Sequence, residues 1–386
     1  MAKKKRKSLF QRFLNTIEKV GNALPHPATL FAIFALLALI FSWVGYILDW
    51  QAVHPGTKET IVPENLLSEY GIHKILTMMV ENFTSFAPLG IVIVAMLGIG
   101  IAEQSGLIAA FIRLLVLSAP SRLLTFIIVF AGVMSNLASS VGYVLLVPLA
   151  GIIFKAVKRH PIVGMAAAFA GVSGGYSANL VLGTIDPLLA GLSTEAARIV
   201  DPEYYVNPTA NYYFMVISTF FIAFAGTWVT EKIIEPRFGK YNPDSAPEQE
   251  DEKLEKLKKE EKKGLLYSGI VLLVIVGILL IGLIPENGFL RGNNGGLLNS
   301  PVLKGVVAIL FLTAGLMGLA YGIITKKFQS DKDVMKGMGE SMKTLAMYLV
   351  LVFFAAQFVA FFKWSNLGLI IAIKGANALI STNLGI

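Results

Sequence analysis

No cysteine occurs among the 386 residues, which excludes disulfides, thiolate metal sites and covalent haem attachment. Charge is scarce as well. Asp, Glu, Lys and Arg make up 15% of the chain against 55% hydrophobic residues, too apolar a balance for a soluble globule. The four histidines, His26, His54, His73 and His160, are scattered and form no HExxH-type pair, so a zinc hydrolase gains no support. A GxxxxGK[ST] phosphate loop is missing, which argues against an ATP-driven pump.

What the chain does have is long apolar runs. Several exceed 18 residues and lack the alternation of barrel strands, so the sequence predicts an all-α polytopic membrane protein embedded in a lipid bilayer. The net charge of +8 sits in short tracts beside those runs, a pattern of cytoplasmic-side positive charge rather than of a nucleic-acid binder. Residues 1–25 open with Lys3-Lys-Lys-Arg-Lys7, then place Phe10, Phe13, Leu14 and Ile17 at helical spacing, which predicts a basic interfacial helix on the cytoplasmic leaflet. Residues 26–239 read as a first transmembrane repeat. A span at 28–48 is followed by a polar outer loop over 49–85 and a long segment at 86–118 broken at Glu103-Gln-Ser-Gly106.

Residues 122–155 are the informative stretch. Arg122 begins it and Lys155, Lys158 and Arg159 follow, which puts both ends on one side of the membrane. Its apolar arms, 123–134 and 141–154, are each too short for about 30 Å of hydrocarbon at about 1.5 Å per residue. A re-entrant hairpin with Ser135-Asn-Leu-Ala-Ser-Ser140 at its tip satisfies both facts; two short spans joined by a polar turn are the alternative. Residues 161–190 then predict a helix broken near Gly174-Gly175 and again constrained at Asp186-Pro187, since proline lacks the N–H and disfavours helix just before it. A loop at 191–210 precedes a span at 211–232.

The run 240–263 is charged and reads as a cytoplasmic linker with Glu/Lys pairs at helical spacing. Residues 264–386 supply a linking span at 265–284 and the start of a second repeat, with spans at 302–325 and 338–362. Glu103-Gln-Ser-Gly-Leu-Ile-Ala-Ala-Phe111 is echoed by Trp364-Ser-Asn-Leu-Gly-Leu-Ile-Ile-Ala372, and span 302–325 runs opposite to 28–48, as an inverted repeat requires. A second hairpin would be due where the sequence stops, so the fold expected is an inverted-repeat secondary transporter with an incomplete second repeat.

Polar residues at membrane depth mark substrate and ion pathways. Asp186 is the leading candidate, as a proton acceptor or a charge beside a cation; the plainer reading is a cap on the turn before Pro187. Asn136, Ser139, Ser140 and Gly142 are candidates for an ion site at a broken helix, with Ser and Asn as interhelical hydrogen-bond partners the alternative. Ser177 and Asn179 pose the same choice for the substrate or proton pathway, and Gly174 and Gly175 would let that backbone approach closely. Glu103 and Gln357 read as packing hydrogen bonds.

Four stretches carry a family resemblance: Leu24-Pro-His-Pro-Ala-Thr-Leu-Phe31, Met134-Ser-Asn-Leu-Ala-Ser-Ser-Val-Gly-Tyr143, the run from Gly171 through Asp186-Pro187 to Gly191, and Phe353-Phe-Ala-Ala-Gln-Phe358. The sequence resembles the AbgT family, the p-aminobenzoyl-glutamate transporters. That resemblance implies a homodimer whose protomers carry nine spans and two re-entrant hairpins around an aqueous bowl, in the bacterial inner membrane with the N-terminus cytoplasmic. It implies coupling to Na⁺ or H⁺, no other cofactor, and p-aminobenzoyl-glutamate import or efflux of sulfonamide-like antimetabolites. An aspartate matching Asp186 belongs to the family's transport pathway, while its companions in and after the second hairpin have no counterpart here. The competing expectations are a transport-inactive truncated homologue acting as a membrane interaction partner, and an intramembrane enzyme, for which no nucleophile–base pair is evident.

Overall fold

The computed structural model describes residues 25–53, 58–137, 142–183, 185–198, 201, 203–239, 241, 256–292, 295–297 and 300–381. The interfacial helix expected at 1–25 and most of the 240–263 linker lie outside the described residues. Apart from a two-stranded antiparallel ladder pairing Ala52–Val53 with Thr60–Ile61, the described residues are helices, turns and loops. Among the described residues, six helical segments are long and apolar enough to cross a membrane: Pro27–Ile47, Glu69–Gln104, Tyr212–Phe238, Lys259–Leu283, Val306–Ile324 and Ala346–Trp364. The chain is a multi-pass membrane protein.

It divides into two compact units, one of Met1–Leu89, Ala197–Pro202 and Leu345–Ile386, the other of Gly90–Ala196 and Glu203–Thr344. In the first, α1 (Pro27–Ile47) starts with proline at its first position and His26 Nδ1 accepting from Ala28 N at 3.2 Å, the local meaning of the Pro-His-Pro run. Its buried stripe is small: Ala28, Ala35, Ala38, Ser42 and Gly45. Small side chains let helix backbones draw close where lipid offers no hydrophobic drive, and α1 packs against α14 (Ala346–Trp364) through that stripe, with Val352, Ala355 and Ala356 buried opposite. In the second unit the equivalent pair is α3 (Ala87–Gln104) with α12 (Val306–Ile324). A Cβ on Gly98 would stand 2.5 Å from Phe311 O, and one on Gly318 would stand 2.6 Å from Ala102 N, so the two helices touch along bare backbone.

The internal repeat is written in hydrogen bonds. After α3, Ser105 N bonds to Ile101 O, Ser105 Oγ to Ala102 O, Gly106 N to Glu103 O, and Leu107 N to Ser105 Oγ, opening α4 (Leu107–Leu117). After α14, Ser365 N bonds to Phe361 O, Ser365 Oγ to Phe362 O, Asn366 N to Lys363 O, and Leu367 N to Ser365 Oγ, opening α15 (Leu367–Ser381). The hinge residues, Gly106 at φ 85° and Asn366 at φ 58°, share the left-handed region that glycine and asparagine tolerate. The ends of α1 and α12 match in the same way. Asp49 (φ 48°) and Lys326 (φ 58°) reverse the chain, and the aromatic that follows folds back over a helix glycine, Trp50 on Gly45 and Phe328 on Gly322.

Two helices of this repeat depart from the sequence reading. The polar loop expected at 49–85 contains α2 (Glu69–Thr84), and the span expected at 338–362 starts only at Ala346, because α13 (Asp331–Thr344) precedes it. Both are amphipathic and carry enough charge to read as loop. α2 is nevertheless capped by Ser68 Oγ, which accepts from Gly71 N at 3.1 Å. Likewise, helix α8 (Ile185–Ala197) runs into the loop expected at 191–210, and α11 (Lys259–Leu283) begins inside the expected linker. There Glu261 accepts from Lys258 N and pairs with Arg113 of α4, so the end of the charged run is helix N-terminus rather than tether.

The second unit also holds α5 (Leu124–Met134), α6 (Val147–Ala156), α7 (Pro161–Gly174), α9 (Tyr212–Val229) and the closing turn α10 (Glu235–Phe238). The chain bends by 112° between Leu107–Leu117 and Ser121–Leu137. α7 packs against both α5 and α6, and its buried face is again small: Val163, Gly164, Ala167, Ala168, Gly171 and Val172. The stretch from α5 to α6 doubles back on itself, for Arg159 Nη1, three residues past α6, donates to Thr125 Oγ1 at the start of α5 at 2.8 Å.

Candidate functional site

The site is built where α5 and α7 both end. α5 stops at Met134 in a tight turn, Ser135–Leu137, and Gly142–Leu146 forms a wide π-type turn that leads into α6. α7 stops at Gly174, and residues 175–183 are irregular until α8 begins. A break at Gly174-Gly175 is where the sequence places it. The two ends lie backbone against backbone. A Cβ on Gly171 would stand 2.5 Å from Val129 O, and one on Gly175 would stand 2.5 Å from Gly171 O and 2.7 Å from Val133 Cγ2. Gly142 is held equally tightly against Ser135 and Val172. Gly174 has open space around it, so of the glycine pair only Gly175 serves close approach.

Two asparagines tie these ends together. Asn136 Nδ2 donates to Val133 O at 3.0 Å and to Val172 O of α7 at 3.3 Å. Asn179, 2% exposed, donates through Nδ2 to Met134 O at 3.3 Å, while its Oδ1 accepts from Leu180 N at 2.9 Å and Val181 N at 3.3 Å. Both amides thus answer carbonyls that a helix C-terminus leaves without an intrahelical partner. Ser177, on the irregular segment after α7, lies in the left-handed region at φ 62°, and its buried hydroxyl has no hydrogen-bond partner among the described residues. Asp186 lies in the first turn of α8, where its Oδ2 accepts from Gly183 N at 2.7 Å. A carboxylate there complements the positive end of the helix dipole. The structure therefore brings Asn136, Asn179, Ser177, Gly175 and Gly142 to one place and gives Asp186 a bond within its own segment; Ser139 and Ser140 lie outside the described residues.

Sequence reasoning missed two tyrosines. Tyr212 OH donates to Leu180 O at 3.0 Å, holding the irregular segment from α9, and Tyr143 OH lies 3.1 Å from Ser173 Oγ. Nothing in a single sequence distinguishes them from membrane-interface tyrosines. Among the described residues no three His, Asp or Glu side chains gather as a metal ion would need. The polar groups at the junction are carbonyl, amide and hydroxyl oxygens, the ligand types of a hard monovalent or oxygen-coordinated cation.

A sequence model of the AbgT putative transporter family matches residues 12–386. The chain belongs to the AbgT family. It is 37% identical over 369 residues to the p-aminobenzoyl-glutamate transport protein of Escherichia coli strain K12, a match covering 95% of this chain and 72% of that protein. Among solved AbgT-like structures it is similar to the YdaH transporter of Alcanivorax borkumensis, described as having an unusual topology. That match has 42% identity and a TM-score of 0.85, and covers 93% of this chain and 75% of that one. It is also similar to Neisseria gonorrhoeae MtrF, described as illuminating a class of antimetabolite efflux pumps, at 49% identity and TM-score 0.90, covering 97% of this chain and 76% of that one. AbgT membership gives the expected resemblance and the all-helical transporter fold their confirmation.

Proposed function

We propose that this chain is an ion-coupled secondary transporter of the bacterial inner membrane, N-terminus cytoplasmic, moving p-aminobenzoyl-glutamate or sulfonamide-like antimetabolites. The named activities of its relatives support the substrate class. The observation that carries the coupling is the meeting of two helix C-termini, α5 and α7, with the buried Ser177 hydroxyl three residues past α7 lacking a hydrogen-bond partner among the described residues. Each C-terminus bears about half a negative charge. A buried polar atom without a partner costs about 1–3 kcal/mol, so a cation or its water that meets Ser177 there regains what the fold forgoes.

In this reading the α5–α6 stretch is a re-entrant hairpin whose ends stay on one face, an arrangement that the Arg159–Thr125 bond supports. Na⁺ binds beside Asn136, Asn179 and Ser177, or H⁺ binds at Asp186, whose carboxylate carries the charge that changes during the cycle. The positive end of the α8 dipole attracts the substrate carboxylate when Asp186 is protonated or paired with the cation. A homodimer in lipid is the assembly proposed, as is transport in place of catalysis. Uptake of labelled p-aminobenzoyl-glutamate by proteoliposomes tests the reading, with an inward Na⁺ gradient, a pH gradient or neither imposed. Accumulation only under one gradient is expected; equal equilibration under all three would remove the coupling.

A further inference from the structure

One guanidinium closes the base of the α5–α6 stretch. Arg159 Nε and Nη2 grip Glu235 at 2.8 and 2.7 Å, Nη1 donates to Thr125 Oγ1 at 2.8 Å, and the guanidinium carbon lies 4.2 Å from the Phe154 ring centre. Thr125 and Phe154 are fully buried, and Glu231 approaches the same cation at 3.8 Å. The four partners sit on four elements: Thr125 in the first turn of α5, Phe154 in the last turn of α6, Glu231 in the π-type turn after α9, and Glu235 in α10. The π-type turn Thr230–Ile234 between α9 and α10 inserts one extra residue, which rotates α10 by about 100° relative to an unbroken helix. That rotation brings Glu235 to Arg159.

The far end of α5 is the site end. Phe130 of α5 stacks on Phe220 of α9 at 5.9 Å, and Phe126 meets Phe224 at a 43° tilt and 4.8 Å, so α9 holds α5 at two points along its length. Where its base is fixed, its tip is fixed, and the tip holds the Val133 and Met134 carbonyls to which Asn136 and Asn179 bond. The structure assigns Arg159 as a positioning residue: it sets the depth of α5 against α7 and α9, and through that the oxygen geometry at Asn136, Ser177 and Asn179. Its consequence for transport rests on the function proposed above.

Lysine keeps the charge but cannot grip Glu235 with two parallel bonds while reaching Thr125. Thr125→Val removes one leg and keeps the volume, so it remains informative if an arginine variant fails to fold. Expected for R159K, at unchanged folding yield, is a KM for p-aminobenzoyl-glutamate about tenfold higher with the maximal rate per folded protein kept within about twofold; T125V should show about threefold. Rescue by lysine to wild-type KM would mean that charge alone matters and would overturn the assignment. Hydrogen exchange supplies a readout that needs no transport: both variants should speed exchange of the 133–137 amides about tenfold and leave 215–223 of α9 unchanged. Unchanged exchange at 133–137 sinks the inference whether or not the chain transports. Faster exchange there, with no uptake even by the wild type, leaves the positioning intact and removes the proposed function.

Discussion

Asn82 and Gln357 face each other across α2 and α14: Asn82 Nδ2 donates to Gln357 Oε1 at 3.0 Å, and Gln357 Nε2 donates to Met79 O at 2.9 Å. Gln357 is 4% exposed, so its own amide has these two partners in place of water. Interhelical side-chain bonds in membrane proteins contribute about 0.6 kcal/mol on average and about 1.7 at most. A buried two-bond link belongs at the upper end, and Gln357→Leu should lower unfolding stability in detergent by about 1–2 kcal/mol. Unchanged stability would show that the link contributes nothing.

Neighbouring glycines at the α5–α7 junction should respond in opposite ways. Gly171→Ala forces a methyl to within 2.5 Å of Val129 O, a backbone atom that cannot swing aside, and overpacking of this kind costs about 1–3 kcal/mol. Gly174→Ala meets nothing within 4 Å and should be neutral or slightly stabilising. Thermal unfolding of the two purified variants separates them. Equal losses would mean that the helix ends, rather than the crossing, govern stability.

Much of this was legible in the residues. Apolar length gave the spans and the Gly-rich run gave the break in α7, while the bond by which Arg159 meets Thr125 could not be read from the charges at the ends of 122–155. The α2 and α13 helices were not legible, because their charge density matches that of loops and their order depends on close contacts a sequence does not display: Gly71 against the Leu66 turn that precedes α2, and Ser341 against Gly100 of α3. The repeat was visible only as a faint echo, since the register that counts, Ser105 with Ser365, is carried by identical bonds between dissimilar neighbours. The asparagine bonds were out of reach for a different reason. Asn136 and Asn179 mark a site by type, but a sequence does not say which carbonyls they answer.

The start of α13 carries a pH dependence outside the membrane spans. Asp333 Oδ2 accepts from Gln329 N at 2.8 Å, Ser330 N at 2.9 Å and Ser330 Oγ at 3.2 Å, and those backbone bonds hold its carboxyl below the usual carboxylate value. A group depressed in the folded state stabilises above its unfolded pKa, about 3.9, and loses that contribution as pH falls through the lower folded value. Exchange of the Gln329 and Ser330 amides should therefore accelerate on acidification below about pH 4, beyond the intrinsic trend. In Asp333→Ala they should exchange fast at every pH; protection surviving that substitution would remove the carboxylate as its cause.

Asp186 separates its two roles by a single isosteric change. Its Oδ2 accepts from Gly183 N, and the amide oxygen of Asp186→Asn can take that bond without the charge. If the carboxylate only caps α8, D186N should fold and transport like the wild type, whereas D186A should lose the cap, at about 0.5–2 kcal/mol. If the charge is used in the cycle, D186N should keep its stability and still lose gradient-driven uptake by about a hundredfold or more, because no neutral group can exchange a proton or balance a cation there. We expect the second outcome. In the cycle proposed above Asp186 stands at membrane depth, where a charge is costly to keep, and the capping bond alone would be served as well by asparagine or serine, which carry no charge. Uptake by D186N at the wild-type rate would make Asp186 a structural cap, and the ion-coupling residue would then have to be sought among Asn136, Ser177 and Asn179.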